Sequence, residues 1–129
     1  MAFLKYKELT QYFNFFREID EKDIPTYIRD YITSGEKILE IYKTFRDHGV
    51  FTNKKIILFD QKGTGNIKEI TIIPYKSFST CSIKFKVTQA DMLIYLDSGY
   101  PLRLRFVKLD PVGKKKLRIL YNSICEELI

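Results

Sequence analysis

Eight basic residues stand where a small β module would display its turns or one face of a helix: Lys54, Lys55, Lys62 and Lys68, then Lys114, Lys115, Lys116 and Arg118. Ammonium groups gathered at neighbouring hairpin tips can hold phosphates as point charges. The first pair lies in Thr52-Asn53-Lys54-Lys55, between Val50-Phe51 and Ile56-Ile57. Turn chemistry accounts for every residue type there: Thr and Asn bond their own backbone, and Asn tolerates left-handed φ. A folding role therefore ranks ahead of a phosphate rim made from Lys54, Lys55, Lys62 and Lys68. The run from Lys114 to Arg118 opposes the dipole of the helix it would open, as Glu126 and Glu127 do at its end. It fits an acidic partner, but a solvated face ranks first.

Other reactive types are sparse. His48 is the sole histidine, beside Gly49 in an expected turn. Cys81 and Cys125 are the sole cysteines, and one His with two distant Cys lacks zinc-ligand spacing. Both thiols fall on or beside apolar stripes and read as core or near-core groups. Asp91 with Asp97, and Glu126 with Glu127, are ordinary surface carboxylates. Gly-Thr-Gly-Asn at 63–66 is followed by neither Gly-Lys-Ser/Thr nor a helix, so it is no phosphate loop. The expectation is a protein that is not an enzyme, with no cofactor and no metal.

Composition sets the frame for these residues. A chain of 129 residues, 45% hydrophobic and 15% aromatic, holds enough apolar surface for one packed domain with an extension. The formal charge is +6, and residues 36–129 carry all of the excess: 17 Lys/Arg against 10 Asp/Glu, where residues 1–35 have 5 against 6. That balance permits a polyanionic partner without requiring one. Two cysteines without framework spacing read as reduced, and no run approaches a membrane span. The N-terminal stretch lacks the long apolar core of a secretion signal. A soluble, cytoplasmic protein is expected.

The apolar period changes once along the chain. Over 3–19, Leu9, Tyr12, Phe13 and Phe16 repeat at helical spacing. A second stripe, Ile24, Tyr27, Ile28, Tyr31 and Ile32, starts after Asp23 as a cap and Pro25 in a first turn, and Ser34-Gly35 ends it. From Glu36 the period is two, and strands are expected over 37–46, 49–52, 55–61, 67–74, 78–88, 91–98 and 101–108. Cys81, Ile83, Phe85 and Val87 share one face, as do Met92, Ile94 and Leu96, and Leu102, Leu104 and Phe106. Asp110 and Pro111 then open a long amphipathic helix along Leu117, Leu120, Tyr121, Ile124 and Leu128. The fold class is mainly β with α: a seven-stranded antiparallel barrel or sandwich capped by a C-terminal helix. The division is a helical extension over 1–35 and the β domain over 36–129.

Seven strands and one capping helix is the order of a pleckstrin-homology (PH) domain. Gly35-Glu36, then Val50-Phe51-Thr52-Asn53-Lys54-Lys55-Ile56-Ile57, then Ile73-Pro74-Tyr75, resemble the bacterial PH-like domains over roughly 35–129. The Phe-Thr-Asn-Lys segment is also similar to lipid-associated GRAM domains, which share the barrel. The resemblance implies the PH fold and a tendency towards ring-like oligomers, with no ligand attached. Phosphoinositide-binding members of the wider superfamily carry Lys-x(n)-(Lys/Arg)-x-Arg between their first two strands. Here that place holds Lys43 and Arg46 without a third base, and the helix Trp of those domains is missing. No binding residue is carried over from them.

One face is left over. Lys84, Lys86, Arg103 and Arg105 should point outward, with Asp91 and Asp97 between them as a cross-strand ladder. Leu93 and Tyr95 would share that outward face, and apolar groups there imply cover by the N-terminal helices or by another subunit. The functional expectation is therefore a PH-like binding and assembly module whose main partner is itself, as a homo-oligomer or ring, with an unidentified protein as a further partner. The runner-up is a peripheral reader of anionic lipid at the inner face of the membrane. A nucleic-acid partner is disfavoured, because the aromatics sit at periodic inward positions, not on an exposed stacking platform.

Overall fold

A computed structural model describes residues 13–15, 17–44, 47–61 and 68–126. The seven expected strands are β3 (Ile38–Lys43), β4 (His48–Thr52), β5 (Lys55–Gln61), β6 (Lys68–Pro74), β7 (Phe78–Phe85), β8 (Ala90–Leu96) and β9 (Pro101–Phe106). Two short N-terminal pieces precede them, β1 (Phe13–Phe15) and β2 (Arg17–Glu18). The sheets run β2-β3-β4-β5-β6 and β1-β9-β8-β7, and among the described residues no strand pair joins one to the other. They form an open sandwich. The seven long strands are antiparallel within each sheet, while β1 lies parallel to β9 with Phe15 opposite Phe106.

Alternation places the core where the period of two requires it. Ala90, Met92, Ile94 and Leu96 of β8, with Leu102, Leu104 and Phe106 of β9, face Tyr42, Phe51, Ile56 and Leu58 of the opposite sheet. The C-terminal helix, α2 (Pro111–Glu126), closes this core with Leu117, Leu120 and Ile124. Asp110 Oδ1 accepts from Gly113 N at 2.6 Å and Pro111 opens the helix, as the sequence requires. Leu128 and Glu127 lie outside the described residues, as does the Glu126 side chain.

The apolar stripe of β7 stops early. Cys81 and Ile83 pack against the core, but Phe85 is 39% exposed and Val87 88% exposed beyond the strand end. A register shift between Phe78 and Thr80 also offsets the strand against β8.

The N-terminal stripes fold differently from their helical spacing. Where described, 13–18 is extended, because β1 and β2 add a strand to each sheet: Phe15 opposite Phe106, and Glu18 opposite Tyr42. Sheet pairing overrides a weak local helical preference. The second stripe does hold a short helix, α1 (Thr26–Arg29). It is preceded by a 3-10 turn at Glu21–Asp23 that Asp20, not Asp23, caps, and Pro25 stands at the N-cap of α1. Gly35 closes the segment with φ +82°, where a side chain would be strained. Leu9 and Tyr12 lie outside the described residues.

This segment covers the outer face of the first sheet. Ile24 and Ile28 are buried with Ile41, Val50, Ile57 and Phe59, and Tyr27 and Tyr31 meet Phe59 edge-on at 5.7 and 5.5 Å. Strands β4 and β5 are therefore buried on both faces, which explains the apolar runs Val50-Phe51 and Ile56-Ile57-Leu58-Phe59.

Gly49 lies against the ring of Phe15. A Cβ there would lie 2.5 Å from Phe15 Cζ. Gly49→Ala is expected to cost about 1–3 kcal/mol through overpacking. A lower urea midpoint would register it, and Phe15→Leu in the same chain should recover part of the loss.

Candidate functional site

Three stretches distant in sequence meet at the β4–β5 hairpin. The Glu36 side chain is fully buried, and its Oε1 accepts from Thr33 N at 2.9 Å, Thr33 Oγ1 at 3.0 Å and Lys55 Nζ at 3.0 Å. Its Oε2 accepts from Thr52 Oγ1. Thr52 Oγ1 in turn accepts from the backbone N–H groups of Lys54 and Lys55, each at 3.1 Å. Asn53 Oδ1 accepts from Lys37 N at 2.8 Å, and the Tyr75 hydroxyl donates to Thr52 O at 2.7 Å. Burial alone would raise the Glu36 carboxyl, but the hydrogen bonds from Thr52, Thr33 and Lys55 together bring it down to about 2. Gly35-Glu36, Thr52–Lys55 and Tyr75 are thus one polar clamp that ties the start of β3 to the β4–β5 turn and the end of β6.

The clamp divides the expected basic rim. Lys55 is 14% exposed, its ammonium paired with Glu36. Lys54 is exposed. Lys62 lies outside the described residues, as does the side chain of Lys68, whose backbone pairs with Gln61 at the start of β6. On α2, Lys115 and Arg118 are exposed and Lys114 is half-buried. Lys116 Nζ donates to Glu18 Oε1 at 2.8 Å, and that bond holds its ammonium above the usual lysine range.

On the outer face of the second sheet the charge ladder is one rung deep. Asp91 lies between Lys84 and Arg105 in register, accepts from Arg105 Nε at 2.9 Å and pairs with Lys86 at 3.3 Å. Burial would raise its carboxyl, yet these bonds keep it below the usual range. Asp97 falls in the turn after β8 and makes no rung. The next positions are apolar. Leu93 stands between Ser82 and Arg103, and Tyr95, 43% exposed, between Thr80 and Pro101.

A polar cleft of about 310 Å³ escaped the sequence reading; Glu18, Tyr42, Phe106, Lys108, Asp110 and Lys116 line it. The Tyr42 hydroxyl is buried there without a hydrogen-bond partner among the described residues. Glu40, next to the cleft, is pushed up to about 7 by burial and by Glu18. A glutamate inside Ile38-Leu39-Glu40-Ile41-Tyr42 was the sequence signal, since a carboxylate within an apolar strand needs a special partner. His48, expected in a turn, instead begins β4 opposite Lys43 and Phe59. Among the described residues no cluster of three His, Cys, Asp or Glu could hold a metal ion, and no helix is long and apolar enough to cross a membrane.

A sandwich of seven antiparallel strands with one closing helix is a PH arrangement, and the model of the bacterial PH domain family matches residues 9–125. The chain belongs to the bacterial PH domain family. Solved structures agree on the fold of this bacterial PH domain. It is similar to a DUF1696 family protein with a pleckstrin-homology domain from Shewanella loihica PV-4, with a TM-score of 0.70 at 20% identity over 90% of this chain and 98% of that one. A pleckstrin homology domain from Shewanella amazonensis SB2B matches with a TM-score of 0.60 at 23% identity over 86% of this chain and 90% of that one. Curated relatives match over a shorter stretch. The uncharacterized protein YjqA of Bacillus subtilis (strain 168) is 44% identical over 54 residues, 41% of this chain and 43% of that protein. The uncharacterized protein YozO of the same organism is 40% identical over 53 residues, 41% of this chain and 46% of that protein. Each match spans less than half the length of the relative.

Proposed function

We propose that this bacterial PH domain is a non-catalytic binding and assembly module that forms homo-oligomers through the outer face of β9-β8-β7, centred on Leu93 and Tyr95. The PH-like fold supports a binding module in general. The observation that carries the assembly reading is the unequal treatment of the two sheets. The centre of the first sheet's outer face, Ile41, Val50, Ile57 and Phe59, is sealed by Ile24 and Ile28 of the same chain, while Ile72 at its β6 edge is 46% exposed. The second leaves Tyr95 43% exposed with Leu93 beside it, above a single charged rung. A second copy supplies the cover that α1 supplies on the opposite side. A contact between this face and a different surface of the neighbour would propagate into a ring.

Sedimentation velocity over a wide concentration range tests this directly. The expected mass is well above 15.3 kDa, and Leu93→Thr with Tyr95→Lys should return a folded monomer. A native chain that stays monomeric at high concentration would refute the assembly reading.

The runner-up, attachment to anionic lipid, is favoured by one observation: Lys54, Lys115 and Arg118 are exposed while Lys55 and Lys116 are held by carboxylates. Co-sedimentation with phosphatidylglycerol vesicles that fades with salt, and that Lys54→Glu with Lys115→Glu abolishes, would carry it. Equal recovery with neutral vesicles would remove it.

A further inference from the structure

The chain has two cysteines, and the fold brings them together from 44 residues apart: Cys81 Sγ on β7 lies 3.2 Å from Cys125 Sγ near the end of α2. We propose that Cys81 and Cys125 are a thiol–disulfide modification site, oxidised to an intramolecular disulfide by a low-molecular-weight disulfide and returned by the corresponding thiol.

The geometry carries this. Sulfurs of a disulfide stand about 2.05 Å apart, so bond formation requires an approach of only about 1.1 Å from the contact present. Both residues are partly exposed, which admits a small disulfide. Tyr121, one helical turn before Cys125, donates its hydroxyl to Cys81 O at 3.1 Å and so holds the last turns of α2 on β7 before any covalent bond forms. Fixing two reactants at contact distance makes their reaction effectively unimolecular.

The chemistry balances in two exchanges. The Cys125 thiolate attacks one sulfur of the small disulfide; its S–S bond breaks, a mixed disulfide forms on Cys125, and one small thiol leaves carrying the proton that Cys125 gave up. Cys81 then loses its proton and attacks Cys125 Sγ, and the second small thiol leaves with that proton. Two electrons pass from the protein to the small disulfide. Burial, then the contact with Cys125, pushes the Cys81 thiol up to about 11, which leaves little of its thiolate and makes the second step the slower one.

The product is a staple. It joins α2 to β7, an edge strand of its sheet, and closes the chain from Cys81 to Cys125. A cross-link over a loop of that size restricts the unfolded ensemble and should raise Tm by roughly 10 °C.

The test uses the full chain, reduced and then incubated with oxidised glutathione. Expected are loss of two hydrogens in the intact mass, no thiol left for alkylation, a cross-linked peptide pair containing Cys81 and Cys125, and the higher Tm. Cys81→Ser should stop at the glutathione adduct on Cys125. Two alkylatable thiols after oxidation, or bonds between chains only, would overturn the proposal. Should Cys81→Ser fail to fold, the peptide map of the native chain decides by itself.

Discussion

Deleting residues 1–33 is expected to leave a chain that does not fold. Phe15 is 1% exposed and packs on Phe106 at 5.3 Å and Tyr42 at 5.9 Å, in the main core. Removing a buried Phe side chain costs about 3–5 kcal/mol. The same deletion takes away Ile24 and Ile28, exposing Ile41, Val50, Ile57 and Phe59 to water. Each such side chain left uncovered forfeits roughly 1.5–3 kcal/mol of burial. Together these losses, about 9–17 kcal/mol, are comparable to the whole 5–15 kcal/mol that holds a typical domain. Circular dichroism of the truncated chain should show no cooperative transition, and Phe15→Ala alone should lower the urea midpoint markedly. A division into a helical extension over 1–35 and a β domain over 36–129 carries the opposite expectation, that removal of 1–33 leaves a soluble barrel with changed assembly. A truncated chain with a sharp melt would bear that division out and make 1–35 an extension in the strict sense.

Glu36→Ala should be the most damaging single polar substitution. It strands the Lys55 ammonium, 14% exposed, and withdraws the acceptor of Thr52 Oγ1 and Thr33 N. Breaking a buried pair by removing one partner costs about 3–5 kcal/mol. Lys55→Ala should cost less, since Glu36 keeps its hydroxyl and backbone donors, and the double variant should be less than additive. The pH profile follows from the same carboxylate. Its folded value of about 2 lies below an ordinary glutamate's 4.5, so its contribution is complete above about pH 4.5 and fades as pH falls towards 2. That contribution is on the order of 3 kcal/mol. Glu40 acts with the opposite sign: raised to about 7, it favours the fold fully below about pH 4.5 and ceases to as pH rises through 7. Chemical denaturation from pH 2 to 9 should therefore give an acid limb that Glu36→Ala flattens and a shallow neutral decline that Glu40→Gln removes. An acid limb unchanged in Glu36→Ala would show that another carboxylate controls it.

The β architecture was legible because alternation is a local property. Met92-Ile94-Leu96 and Leu102-Leu104-Phe106 could face only one way, and Asp110-Pro111 could only open a helix. The turn residues Thr52-Asn53 were legible for the same reason. What the flanking lysines do was not. Lys54 and Lys55 are adjacent and chemically alike, yet one is exposed and the other is held by Glu36, 19 positions away. Helical spacing also misled at Phe13–Phe15 and Arg17–Glu18, which partners on β9 and β3 hold extended. Periodicity reports a residue's own backbone and its near neighbours. Which face of a sheet is sealed, which ammonium is paired, and which two thiols touch depend on contacts that close over tens of residues, and only the packed chain decides those.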